Sequence, residues 1–206
     1  MEALTVHTGV AVPLLIPNID TDVIIRIDRV AKYARDGLGP FALEALRRLP
    51  DGRENPDCIL NAPRYRAATI LLAGDNFGCG SSRENAVWAL MAMGLRAIIA
   101  PSFGEIFFGN CFQNGMLPIR LAKETIESLA SEILQQADGA SLTIDLRNLR
   151  IVSPAGNEIA FDIEPLRQRM LLEGLDQIGL TLTYEADIAN YQKRDCQTRP
   201  WLYGIR

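Results

Sequence analysis

The sequence predicts an α/β fold with a parallel βαβ core and added β-strands. An apolar strand at 68–73, a glycine-rich loop and an apolar helix ending at Gly94 follow one another, and a second buried strand at 96–100 comes directly after. Between 141 and 161 the apolar pattern changes from helical spacing to that of strands. The chain has 206 residues, of which 48% are hydrophobic and 22% charged, as in one compact globular unit with a sizeable core.

The first sixty residues contain one strand-like segment and one long irregular segment. Residues 4–16 are apolar and predict an opening strand or hairpin. Asp20 and Asp22 precede an apolar, strand-like run, so both carboxylates would face the same side; a solvated turn is the alternative. Residues 26–57 are rich in charge, Gly and Pro, with one short helix predicted at 41–48. So long a segment with little secondary structure is usually a functional loop or lid, and a plain surface loop is the alternative for any single residue.

The loop at 74–85 has the sequence GDNFGCGSSREN and organises the rest of the chain. Its three glycines permit positive φ and close approach to a ligand. Ser81 and Glu84 have the spacing of a capping box, which predicts a helix that starts at Ser82. Free N–H groups at this helix start, together with the guanidinium of Arg83, would bind a carboxylate.

Other interpretations of the loop are open on spacing alone. A nucleotide site is one alternative, but this loop lacks the third glycine of the dinucleotide motif and the Gly-Lys-Ser/Thr of the P-loop. A nucleophilic Cys79 needs a base, and the only histidine, His7, lies in a strand-like run near the N-terminus. A carboxylate site with a proton-transferring hydroxyl from Ser81 or Ser82 competes with simple helix capping.

The rest of the chain completes the predicted sheet. The short connection from the helix to the strand at 96–100 implies parallel pairing with 70–73. The remaining predicted elements are helices at 103–112, 123–137, 163–172 and from 187, a strand at 117–121, and a β-meander of 142–146, 149–152 and 158–161. A polar stretch at 192–199 is expected after the last helix.

Charge and cysteine usage exclude several classes of protein. A net charge of −4 without a basic cluster argues against a nucleic-acid partner. No apolar run approaches the roughly 18–20 residues that span a bilayer, and the charge pattern of the first residues leads us to expect no secretory signal. The four cysteines form no CxxC pair, so we expect reduced thiols, no metal site in this chain and a cytoplasmic location.

Residues 76–84, followed by Trp88-Ala89-Leu90, resemble the signature of the small subunit of 3-isopropylmalate dehydratase, the swivelling domain of the aconitase superfamily made as a separate chain. Further segments match that family in the same order, so the resemblance covers nearly the whole chain. They are Asn18–Ile25, Asn55–Asp57 with Pro63–Tyr65, Ile99–Phe103, Ile106-Phe107, Asn110, Asn114–Ile119 and Gly174–Leu182.

The resemblance implies a three-layer β/β/α swivelling domain over 1–206, in which 26–57 is a mobile loop that closes over substrate. The implied reaction, in leucine biosynthesis, converts 2-isopropylmalate to 3-isopropylmalate through 2-isopropylmaleate. Such a hydro-lyase is active only with its large subunit, whose cysteines hold a [4Fe-4S] cluster; no cofactor is expected in this chain.

The same resemblance assigns roles residue by residue. Ser81 is the base, Arg83 binds a substrate carboxylate, and Asp22 in the active-site wall orients a partner histidine or a substrate hydroxyl. The substrate-binding residues are then Gly80, Ser82 and Arg35. If Ser81 capped the helix fully, its oxygen would already be engaged, so either the cap loosens or Gly80 is the cap.

Two departures from the family pattern bear on the substrate. Asn85 stands where the family usually has histidine, and Arg26 where it has proline. Asn85 carries no charge, and Arg26 adds a possible carboxylate contact. Alternatives are therefore the small subunit of a related hydro-lyase acting on citraconate, a methylmalate or homoaconitate, or a non-catalytic, carboxylate-binding regulatory subunit.

Overall fold

The computed structural model describes residues 1–137 and 139–204, which form a mixed seven-stranded sheet of order β4-β3-β2-β1-β5-β6-β7. The strands are β1 (Val6–Leu14), β2 (Ile70–Ala73), β3 (Ala97–Ala100), β4 (Leu117–Arg120), β5 (Ser141–Asp145), β6 (Arg150–Val152) and β7 (Glu158–Ala160). The helices are α1 (Thr21–Ile24), α2 (Ile27–Val30), α3 (Glu44–Arg47), α4 (Glu84–Ala92), α5 (Glu105–Asn114), α6 (Lys123–Gln135), α7 (Pro165–Glu173), α8 (Gln177–Leu182) and α9 (Glu185–Thr198).

Strand β1 joins a parallel part of the sheet to an antiparallel part. Its first half, Val6 to Val10, pairs antiparallel with β5, and its second half, Ala11 to Leu14, pairs parallel with β2. Strands β2, β3 and β4 continue the parallel part, whereas β5, β6 and β7 form an antiparallel meander. The predicted α/β class, with its parallel βαβ core and added strands, is confirmed.

The parallel strands bring three loops to one edge of the molecule. All residues of β2 and β3 are buried, as expected for strands covered on both faces. Helix α4 connects β2 to β3 and α5 connects β3 to β4; because such crossovers are right-handed, both helices lie on one face. The loops that follow β1, β2 and β3 therefore meet at the carboxyl ends of these strands.

One prediction near the N-terminus is confirmed and one was wrong. The opening strand predicted within 4–16 is β1, whereas the apolar run after Asp22 is helical rather than extended. Asp20 is the N-cap of α1, and its side chain accepts a hydrogen bond from Val23 N at 2.8 Å. This cap outweighs the strand preference of the β-branched residues that follow. Asp20 and Asp22 thus do not share one face of a strand.

Two further boundaries differ from prediction. Residues 26–57 contain α2, α3 and short 3₁₀ turns, and the predicted helix at 41–48 is reduced to Glu44–Arg47. Leu38, Ala42 and Leu43 of this segment are buried in the core, while its proposed mobility stays a prediction. The tail is one continuous helix, α9, where a helix and then a polar stretch were predicted. In the described part of the chain, no helix has the length and apolarity to cross a membrane.

Candidate active site

Three loops at the carboxyl edge of the parallel strands are joined by backbone hydrogen bonds. Asn18 N donates to Asp75 O at 2.8 Å, and Gly78 N donates to Ile19 O at 2.7 Å. On the other side, Phe77 N donates to the carbonyl of Ser102 at 3.1 Å. The crevice outside the carboxyl ends of parallel strands is the usual ligand position in α/β sheets. The glycine-rich loop lies in the middle of this arrangement.

Gly78 holds the loop against helix α5. Its φ is +72°, and a Cβ atom there would lie 2.3 Å from Cγ of Phe107, which is buried. The glycine therefore serves close packing of loop on helix rather than approach to a ligand. Gly80, by contrast, is exposed, with a φ of +91°, and a Cβ atom there would have no neighbour closer than 3.4 Å.

We predict that Gly78→Ala destabilises the fold by about 2–5 kcal/mol, because left-handed strain and overpacking against Phe107 add together. Urea unfolding of the isolated chain measures this. The matched control is Gly52→Ala, where φ is +85° and nothing lies within 4 Å. The free energy of unfolding of Gly52→Ala should fall only by the cost of a left-handed backbone conformation, about 1–2 kcal/mol. Equal losses in the two variants would contradict the packing role of Gly78.

Helix α4 starts at Glu84, so the predicted capping box and the helix start at Ser82 were wrong. Its N-cap is Arg83, without a side-chain capping bond. The carboxylate of Glu84 instead accepts a hydrogen bond from Asn114 Nδ2 at 2.8 Å. Ser81 is solvent-exposed, and its hydroxyl has no hydrogen-bond partner among the described residues. The Ser81 oxygen is therefore not used as a cap.

Arg83 and Asp22 form an ion pair that joins α1 to the loop. Nη1 of Arg83 contacts Oδ1 of Asp22, and the Arg83 side chain is 21% exposed. Thr21, at 1% exposure, donates through Oγ1 to the Ser81 carbonyl at 3.2 Å and through its backbone N to Cys79 O at 2.9 Å. The structure thus brings Ser81, Arg83 and Asp22 together, with the exposed Gly80 and Ser82 alongside.

Arg35 belongs to the segment 26–57 and contacts helix α4 away from the helix start. Its Nη2 donates to Asn114 Oδ1 at 2.9 Å, and its guanidinium carbon is 5.1 Å from the centroid of the Trp88 ring. Within the described part of the chain, no hydrogen bond or ion pair links Arg35 to residues 80–83. Trp88 is one helical turn beyond Glu84. The predicted role of Arg35 in binding substrate stays a prediction.

Two buried polar residues support the site without any local sequence signal for a role. Thr21, which lies between Asp20 and Asp22, is 1% exposed, and Asn114 is 7% exposed. Among sequence features, only their positions in segments that match the family could have indicated a role for these two residues. Their partners are distant in sequence, so local patterns could not identify them.

The interpretation of Cys79 as a nucleophile finds no support in the geometry. His7 lies seven residues before the carboxyl end of β1, or about 23 Å away at about 3.3 Å per residue. Its Nε2 lies 2.8 Å from Thr69 Oγ1, and burial lowers the pKa of His7. It is therefore not placed as a base for Cys79. Across residues 1–137 and 139–204, no three His, Cys, Asp or Glu side chains converge to hold a metal ion.

Comparisons with known proteins agree with this architecture. The family model of the aconitase C-terminal domain matches residues 1–124, and that of the C-terminal domain of the 3-isopropylmalate dehydratase small subunit matches 178–205. The chain is 48% identical to a 3-isopropylmalate dehydratase small subunit of Brucella canis, covering 98% of this chain and 100% of that protein. For the same-named protein of Rhodospirillum centenum, identity is 50%, with coverage of 99% and 100%.

A solved structure supports the fold independently. The crystal structure of 3-isopropylmalate dehydratase from Methanocaldococcus jannaschii superposes with a TM-score of 0.66 at 24% identity. The match covers 91% of this chain and 99% of that one. At this identity, the similarity shows a shared fold.

Proposed function

The chain belongs to the family of 3-isopropylmalate dehydratase small subunits, within the aconitase superfamily, and from this premise we propose its activity and mechanism. It acts as half of a hydro-lyase that isomerises 2-isopropylmalate to 3-isopropylmalate through 2-isopropylmaleate, in leucine biosynthesis. The observation that carries the mechanism is that the Ser81 hydroxyl is exposed and uncommitted to a helix cap, two residues before Arg83, whose guanidinium pairs with Asp22.

Ser81 is the proposed base. Dehydration removes a proton from the carbon next to a carboxylate while hydroxide leaves the adjacent carbon, and rehydration places the hydroxyl on the other carbon. A serine is a weak base unless its alkoxide is stabilised. The free N–H groups at the start of α4 and the guanidinium of Arg83 are the local groups that provide this stabilisation. Thr21 fixes the loop by binding the Ser81 carbonyl.

Arg83 is the proposed carboxylate ligand. Its fork of N–H donors matches a carboxylate bidentately, and it already pairs with the carboxylate of Asp22. A substrate carboxylate would share or replace this partner. Asp22, with its side chain 57% exposed, is then available to a substrate hydroxyl or to a partner residue. Gly80 and Ser82 would line the same edge.

The rest of the active site is proposed to come from a large subunit, with which this chain forms a heterodimer. Ser81 and Ser82 are solvent-exposed, so a second wall is required to exclude water. The departure of hydroxide needs an electrophile, and we assign a [4Fe-4S] cluster to the cysteines of that partner. The described part of this chain offers no matching ligand set. We place the complex in the cytoplasm, with no nucleic acid or membrane as partner.

The segment 26–57 is proposed to close over substrate and to set specificity. Arg26, one of the two departures, forms an ion pair with Asp28 at 3.0 Å and lies 3.7 Å from Glu44. These local partners reduce its availability to substrate. Asn85 is half-buried in the first turn of α4. The departures therefore leave the catalytic groups intact.

Substrate identity is tested by reconstituting this chain with its large subunit and measuring dehydration of 2-isopropylmalate and 2-methylmalate, and hydration of homoaconitate. We expect 2-isopropylmalate to give the highest kcat/KM of the three. A higher value for either competitor would assign the chain to a related hydro-lyase. Turnover by the large subunit alone, which this chain then raises or lowers without being required for it, would indicate a regulatory subunit.

A further inference from the structure

The side-chain amide of Asn114, at the end of α5, is fully hydrogen-bonded. Its Oδ1 accepts from Arg35 Nη2 and from Trp88 Nε1, each at 2.9 Å. Its Nδ2 donates to Glu84 Oε1 at 2.8 Å and to the Asn110 carbonyl at 2.9 Å. An amide has two N–H donors and two acceptor lone pairs, so no capacity is left over.

The orientation of this amide is fixed by the chemistry of its partners. Arg35 and Trp88 can only donate, so the oxygen must face them. The carboxylate of Glu84 and the Asn110 carbonyl can only accept, so the nitrogen must face those groups. The amide is 7% exposed, and a buried polar network of this kind is strongly cooperative. Displacing any one partner therefore affects the other three.

The amide connects two parts of the proposed active site. Arg35 belongs to the segment 26–57, and Glu84 is the first residue of α4, directly after Arg83. We infer that Asn114 is a positioning residue that couples the placement of Arg35 to that of Arg83 and Ser81. The inference deepens the proposed function and rests on it for its catalytic consequence. The coupling itself is a property of this chain alone.

Amide resonances of the isolated, ¹⁵N-labelled chain test the coupling without reference to activity. We expect Arg35→Met to shift the backbone signals of Arg83 and Glu84. In an Asn114→Asp background, the acceptor oxygens that face Arg35 and Trp88 remain but the donor to Glu84 is lost. Arg35→Met should then leave the Arg83 and Glu84 signals in place. Equal shifts in both backgrounds would overturn the inference.

Kinetics of the reconstituted complex test the catalytic consequence. We expect Asn114→Asp to lower kcat/KM about 10- to 100-fold, the effect of losing one charge-assisted hydrogen bond. Glu84→Gln keeps an acceptor oxygen and should stay within about twofold of wild type. Combining the two substitutions restores the bond with donor and acceptor exchanged, and most of the lost kcat/KM should return.

Asn148→Asp is the matched control for a purely structural effect. Asn148 Nδ2 donates to Asp145 Oδ2 at 2.7 Å in the turn between β5 and β6. Asn148→Asp therefore also removes an amide donor that faces a carboxylate. Both Asn→Asp variants should melt at lower temperature, and only Asn114→Asp should lose kcat/KM. A similar kinetic loss in Asn148→Asp, or no rescue by Glu84→Gln, would overturn the positioning role. Failure of the proposed function would show separately, as full activity of Ser81→Ala.

Discussion

Ser81→Ala is expected to lower kcat of the reconstituted complex about 10²- to 10⁴-fold, the range that general bases contribute. The hydroxyl is exposed and makes no capping bond, so its removal should leave α4 and the loop in place. Association with the large subunit should remain unchanged. Steady-state turnover of 2-isopropylmalate, together with gel filtration of the complex, measures both expectations.

Ser82→Ala separates the two neighbouring hydroxyls. Ser82 is also exposed, and as a substrate contact it should raise KM with a much smaller change in kcat. If Ser81→Ala keeps full turnover while Ser82→Ala loses it, the base is Ser82. If both variants keep full turnover, no hydroxyl of this loop is the base, and the proposed mechanism is wrong.

Arg83→Lys is expected to lower kcat/KM about 10- to 100-fold, mainly through KM, because lysine keeps the charge and loses the bidentate fork. The guanidinium is 21% exposed and pairs with Asp22, so its position is defined before substrate arrives. Initial rates over a range of 2-isopropylmalate concentrations give kcat and KM separately.

Arg96→Lys is a matched control for Arg83→Lys. Arg96 has a similar side-chain exposure of 23% and pairs with Glu2 at 3.1 Å, near the start of β3 and away from the carboxyl edge. Its substitution should leave kcat and KM unchanged. A KM for Arg83→Lys equal to that of this control would contradict carboxylate binding by Arg83.

The parallel core could be predicted from sequence because its signals are local. The apolar runs that form β2, α4 and β3 are short, continuous and separated by glycine-rich connections, so their type and order follow from the pattern. The positions of Ser81 and Arg83 at the carboxyl edge follow from that order. Their predicted catalytic roles came from the family resemblance and not from the strand and helix pattern.

The predictions that failed depended on contacts that no local pattern contains. Ser81 and Glu84 have capping-box spacing, but Asn114, thirty positions further along the chain, takes the Glu84 carboxylate. The polar tail stays helical because Asp195 accepts from Arg199 Nε at 2.6 Å and from the Tyr203 hydroxyl at 2.9 Å. In both places a specific polar contact decided the structure where propensity alone pointed elsewhere.

In the proposed enzyme, this chain brings catalytic groups to an active site that the large subunit completes. Titrating this chain into a fixed amount of purified large subunit, while following hydration of 2-isopropylmaleate, tests that division of the active site. We predict no turnover by either chain alone and a rise that saturates at equal molar amounts. Turnover by either chain alone at the rate of the mixture would contradict a divided active site.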